Sequence, residues 1–123
     1  MRDTNFLIEN NARHMWHPMA HPAEMQAVPP KVITAGEGVH VTDVEGQKTL
    51  DAVGGLWNVN LGYSCQPVKD AIRDQLAELP YYSAFRGTST GPAIELSYEL
   101  RQWFEEDGLT RSFFTSGGSD SVE

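Results

Sequence analysis

The stretch from Arg111 to Glu123, RSFFTSGGSDSVE, constrains the fold most. Arg111 to Phe114 reads as a short strand, which runs into two glycines and a serine and then into residues suited to a helix start. Strand, tight turn and helix in that order is the connection used in α/β layers. Glycines let backbone N–H groups crowd around an anion, and a helix start adds partial positive charge. The Gly118 and Ser119 amides and the Ser119 hydroxyl can therefore cradle a phosphate. Asp120 must then turn away, because like charges repel. A plain turn capped by Ser119 is the other reading, since the stretch lacks the long loop and lysine of a nucleotide P-loop. Ser121-Val122-Glu123 resembles a first helical turn, and the main sheet has barely begun. The expectation is a truncated α/β chain.

Composition narrows the class of protein without naming it. A length of 123 residues, 40% apolar and 21% charged, suits one modest core and argues against disorder. Nine basic against seventeen acidic residues give a net charge of −8. That balance disfavours sequence-independent binding to nucleic acid and polybasic attachment to anionic lipid. The lone Cys65 excludes an internal disulfide framework and fits a reducing compartment. No apolar run approaches a membrane span, and the N-terminus lacks a signal-peptide core, so a cytoplasmic location is expected.

Upstream of the glycine turn the chain alternates between arms, strands and helices. Thr4 to about Met15 can form a polar helix capped by Asp3 or Thr4. Four prolines between Trp16 and Pro30 favour an extended arm. From Val32 to Leu50, alternating apolar residues broken by Gly36-Glu37-Gly38 and Glu45-Gly46 predict an antiparallel meander. Asp51 to Tyr63 (DAVGGLWNVNLGY) has poor periodicity and reads as a loop. Val68, Ala71, Ile72, Leu76 and Leu79 form one stripe of a helix over 66–79, ended by Pro80. Pro92 opens a second helix with Ala93, Leu96, Leu100, Trp103 and Phe104 on its buried face, stopped by Gly108.

Several side chains outside the glycine turn could carry function. Trp16, Trp57, Tyr81, Tyr82 and Phe85 stand in irregular segments, where they either pack a core or wall a pocket. Arg86, beside Phe85, either meets a carboxylate or stays solvated. His14, His17 and His21 have helical spacing, but Pro18 and Pro22 break the shared face and no acidic or cysteine ligand completes a set, so no metal site is expected.

Taken together, four ordered passages resemble the N-terminal part of the class III aminotransferases, the pyridoxal 5′-phosphate-dependent ω-transaminases. They are the Trp16-His17-Pro18 arm, GEGVHVTDVEGQKTLDAVGGLWN, LPYYSAFRGTST and FFTSGGSDSVE. The Leu56-Trp57 pair looks most like the β-alanine/amine:pyruvate branch. The resemblance implies the fold-type I α/β architecture of pyridoxal-phosphate-dependent transferases. It divides the chain into an N-terminal helix and arm (1–30), a small-domain meander with a pocket loop (31–64) and the start of the large cofactor-binding domain (65–123).

By the same resemblance Gly117, Gly118 and Ser119 hold the phosphate of pyridoxal 5′-phosphate. Trp57 and Trp16 border the amine-substrate pocket, and Phe85 and Arg86 belong to a loop that reaches a partner subunit's site in a homodimer or dimer of dimers. Asp120 stands where the family has glutamate, and Ser121 where it has alanine. The implied activity is transfer of an amino group from an ω-amino acid or amine to an oxo acid such as pyruvate. Alternatives are a diaminopelargonate-type aminotransferase, a semialdehyde aminomutase, or a non-catalytic dimerisation or anion-binding fragment. The family's Schiff-base lysine is expected beyond residue 123; Lys31, Lys48 and Lys69 stand in no matching motif. No catalytic residue is therefore assigned within these residues.

Overall fold

The structure is a computed structural model that describes residues 3–123. Its chain divides into two compact units, Met1–Ala71 and Ile72–Glu123. The first begins with helix α1 (Thr4–His14), capped by Asp3, whose carboxylate accepts the Phe6 amide at 2.8 Å. Arg13 and His14 lie in its last turn, where positive charge complements the helix dipole. The proline-rich stretch departs from the expected extended arm, for it contains helix α2 (Pro22–Ala27). Pro22 occupies the first turn, where its missing N–H costs nothing, and the His21 ring accepts the Ala23 amide at 3.2 Å.

Helix α2 packs on α1 and carries Met25, the one buried apolar side chain among the described residues. Asn11 fixes the return of the chain. Its amide donates to Pro30 O at 3.0 Å, while its carbonyl lies 2.8 Å from His17 Nε2.

The expected meander is present as β1 (Ile33–Glu37), β2 (His40–Asp43) and β3 (Lys48–Leu50), antiparallel in the order β1-β2-β3. Asp43, only 5% exposed, builds the second hairpin turn. Its Oδ1 accepts the amides of Glu45 at 3.1 Å and Gln47 at 2.8 Å, an arrangement that lets an aspartate side chain replace backbone acceptors in a turn. Gly46, at φ +86, closes it.

Helix α4 (Gln66–Glu78) carries the boundary between the two units and ends one residue before the expected Leu79. The second unit continues with α5 (Gly91–Trp103) and α6 (Gly118–Val122). The helix stops at Trp103, and Gly108, at φ +70, ends the turn that follows α5. The expected strand at Arg111 to Phe114 is absent, because a strand exists only through a ladder to a neighbour and these residues have none. The expected buried stripes are not covered in this chain either. Val68, Ile72 and Leu76 on α4 are exposed, as are Leu96, Trp103 and Phe104 at α5.

Candidate functional site

At the glycine turn, the local hydrogen bonds separate carbonyls from amides. Gly117 is the cap of α6 in extended conformation, and its carbonyl accepts the Ser121 amide at 3.1 Å. The hydroxyls of Thr115 and Ser121 approach the same carbonyl at 3.1 and 2.9 Å and each other at 2.5 Å. The Gly117 oxygen is thus fully engaged by protein donors. Gly118, Ser119 and Asp120 open the helix, so their amides have no acceptor within it. No side chain caps them.

Ser119 lies inside the helix and does not cap it, so the expected Ser119 cap is absent. The cap is Gly117, and the Ser119 hydroxyl has no hydrogen-bond partner among the described residues. A Cβ built on Gly118 would meet nothing within 4 Å, so the space above the turn is open. Asp120 is drawn back by the Ser116 hydroxyl, which donates to its Oδ2 at 2.7 Å. Free amides, a free hydroxyl, open space and a retracted carboxylate form a donor set that fits a phosphate. Thr115, Ser116 and Ser121 escaped the sequence reading. Their signal is a hydroxyl or carboxylate pair four or six residues apart across a glycine turn.

Trp57 sits on a feature the sequence did not announce. Within α3 (Gly54–Trp57) all four residues have positive φ: 58° and 60° at the glycines, 64° at Leu56 and 70° at Trp57. This is one turn of left-handed helix, closed by Trp57 N–H to Val53 O and Asn58 N–H to Gly54 O, both at 3.0 Å. Glycine adopts it freely, whereas Leu56 and Trp57 each give up roughly 1–2 kcal/mol. The side chains point away from the packed interior, with Trp57 82% exposed.

Asp51 accepts two hydrogen bonds at Oδ2, from the Gly55 amide at 2.7 Å and the Tyr63 hydroxyl at 2.5 Å. The Tyr63 bond, helped by the loop amides, holds the Asp51 carboxyl below its ordinary range, and the same bond pushes the Tyr63 phenol up.

Trp16 shares the first unit with Trp57. It is exposed and its indole donates to Ala20 O at 3.2 Å. Phe85 and Arg86 stand in the second unit on a loop tied by Thr88, whose hydroxyl donates to Ser83 O at 2.8 Å. The Ser83 hydroxyl accepts the Phe85 amide at 3.0 Å. Arg86 takes φ +47 at the tip, with no carboxylate on its guanidinium among the described residues, and Phe85 is 81% exposed. His14, His17 and His21 form no metal-binding cluster among the described residues.

The family model for class III aminotransferases matches residues 21–123, and the chain belongs to that family. Its fold is the corresponding portion of a fold-type I transaminase. The hypotaurine/taurine–pyruvate aminotransferase of Paracoccus denitrificans is 34% identical over 122 residues, which make up 98% of this chain and 26% of that protein. An amine transaminase from an uncultivated Pseudomonas species, solved with pyridoxal phosphate bound, is 43% identical with a TM-score of 0.81. That match covers 89% of this chain and 24% of that one.

A thermostable ω-transaminase variant is 32% identical with a TM-score of 0.74, over 78% of this chain and 21% of that one. It was engineered for asymmetric synthesis of enantiopure bulky amines. Its replacements include tryptophan to methionine and, twenty-eight residues later, phenylalanine to leucine. The present chain spans about a quarter of the length of the relatives it matches.

Proposed function

We propose that the intact protein is a pyridoxal-phosphate-dependent ω-transaminase that moves an amino group from an ω-amino acid or amine to pyruvate. The observation that carries the reading is the open turn at Gly117, Gly118 and Ser119, whose amides and hydroxyl are free while its carbonyl and its one carboxylate are engaged elsewhere. The Gly118 and Ser119 amides and the Ser119 hydroxyl hold the cofactor's phosphate. When bound, pyridoxal phosphate supplies the electron sink for amino transfer. The chain's own contribution is to anchor and orient, which fixes the reacting groups in place.

Trp57 walls the amine pocket, into which the loop of Phe85 reaches from the partner subunit. Trp57 and Phe85 stand twenty-eight residues apart, the spacing of the tryptophan and phenylalanine replaced in the variant engineered for bulky amines. Trp16 borders the same pocket, and Arg86 meets a substrate carboxylate. Pyruvate as acceptor follows the name of the Paracoccus relative. The resemblance supports the division at about residues 30 and 64, and a homodimer in which the loop of Phe85 and Arg86 serves the partner's site. The exposed apolar stripes of α4 and α5 agree with further protein covering them. The charge balance disfavours nucleic acid and anionic lipid as partners, and the lone Cys65 fits the reducing compartment of a cytoplasmic enzyme. By themselves the 123 residues are inactive, for Lys31, Lys48 and Lys69 lie in no family motif.

The test is steady-state transfer by the intact protein from β-alanine, taurine or an aromatic amine to pyruvate, followed as alanine. Alanine formed only when pyridoxal phosphate is present supports the reading. No alanine from any of these donors in cofactor-loaded protein opposes it.

A further inference from the structure

We infer that Asp51 is a positioning residue for the substrate pocket, because its carboxylate holds the left-handed turn that aims Trp57. The inference rests on the reading above that Trp57 walls the amine pocket. A run of four residues at positive φ is a conformation that leucine and tryptophan avoid, so the turn needs support from outside itself. Its internal support is backbone only: Trp57 to Val53, Asn58 and Val59 to Gly54, and Gly54 to the Asp51 carbonyl.

The side-chain support comes from Asp51. Its Oδ2 takes the Gly55 amide at the centre of the turn, at 2.7 Å, and the Tyr63 hydroxyl at 2.5 Å. Both ends of this clamp are fixed to the meander. The Asp51 amide donates to Val39 O at 2.9 Å, and the Tyr63 amide to Gly38 O at 2.8 Å. The Tyr63 ring lies on Gly36, where a Cβ would fall 2.5 Å from its Cγ. Among the described residues no packing aims Trp57, which is 82% exposed, so within this chain its direction follows from the backbone that Asp51 helps to fix.

The experiment uses the intact holoenzyme labelled with 5-fluorotryptophan, with the Trp57 fluorine resonance assigned by its loss in Trp57→Phe. Asp51→Ala removes both acceptors and shifts and broadens that resonance. It also raises KM for the amine by about tenfold with kcat changed less than about twofold, as expected when a pocket wall is misplaced. Asp51→Asn, whose amide oxygen accepts the same two bonds, restores most of the resonance and of KM. An unchanged Trp57 resonance in Asp51→Ala overturns the inference. A moved resonance with unchanged KM upholds the clamp and overturns the placement of Trp57 in the pocket. Should Asp51→Ala fail to fold, Tyr63→Phe decides: a shifted Trp57 resonance supports the clamp, and an unchanged one refutes it.

Discussion

The Ser116 hydroxyl donates to the Asp120 carboxylate at 2.7 Å, turning negative charge away from the open face of the glycine turn. Without that bond the carboxylate is free to swing toward a bound phosphate and repel it. Ser116→Ala should therefore weaken pyridoxal phosphate binding by about fivefold, the equivalent of one modest hydrogen bond. Adding Asp120→Asn should recover most of the loss. Cofactor titration followed by absorbance gives both numbers, and a loss that Asp120→Asn does not recover would point to a different role for Ser116.

Gly36 and Gly91 make opposite predictions for the same substitution. A Cβ on Gly36 would lie 2.5 Å from the Tyr63 ring, whereas Gly91 has open space around it. Gly36→Ala should destabilise by about 1–3 kcal/mol, the usual penalty for overpacking. Gly91→Ala, in the first turn of α5, should be neutral or stabilise by up to about 1 kcal/mol. Thermal or urea unfolding of the two variants tests the pair.

Asp43 is the buried polar group of the meander, and two turn amides depend on it. Asp43→Ala leaves both amides without their acceptor and should cost about 1–3 kcal/mol. Asp43→Asn retains an acceptor oxygen and should cost less. Equal losses from the two variants in chemical unfolding would show that the charge, not the turn geometry, matters.

The Asp51–Tyr63 bond sets a pH window. The Asp51 carboxyl is held below its ordinary 3.8, so its contribution is present above that value and fades as pH falls through the lowered one. The Tyr63 phenol is raised above its ordinary 10.0, so its contribution is present below that value and fades as pH rises through the raised one. The contribution of this pair to stability should be flat between these limits and fall outside them. Tyr63→Phe should flatten both flanks, which melting temperature against pH would record.

The parts of this fold legible in the sequence are those governed by local rules. The meander was readable because alternation and the Gly38 and Gly46 turn positions act over a few residues, although Gly36 proves to lie inside β1. Helices α1, α4 and α5 followed from caps, stripes and flanking prolines. What the sequence concealed depends on less local facts. Helix α2 hid among prolines, because Pro22 reads as a breaker until it is seen to occupy a first turn. The left-handed turn at Gly54 to Trp57 hid because Leu56 and Trp57 resist that conformation, and only the clamp from Asp51 and Tyr63 makes it tenable.

The expected strand at Phe113 and Phe114 needs a neighbouring strand to exist as one. For the candidate site, the glycines and Ser119 were visible as a motif, but the hydroxyls of Thr115, Ser116 and Ser121 that orient it signal themselves only as pairs spaced across the turn, which become meaningful once the turn's geometry is known.

The central claim is that Gly118 and Ser119 hold a phosphate and nothing else of the cofactor. It is tested most directly by comparing the affinities of the intact protein for pyridoxal phosphate and for pyridoxal, with and without Ser119→Ala. The phosphate-bearing molecule should lose at least about tenfold in Ser119→Ala, because hydrogen bonds to charged groups contribute about 1.5–3 kcal/mol. Pyridoxal, which has no phosphate, should bind both proteins equally. An unchanged preference for the phosphate form, or an equal loss for both molecules, would contradict the assignment.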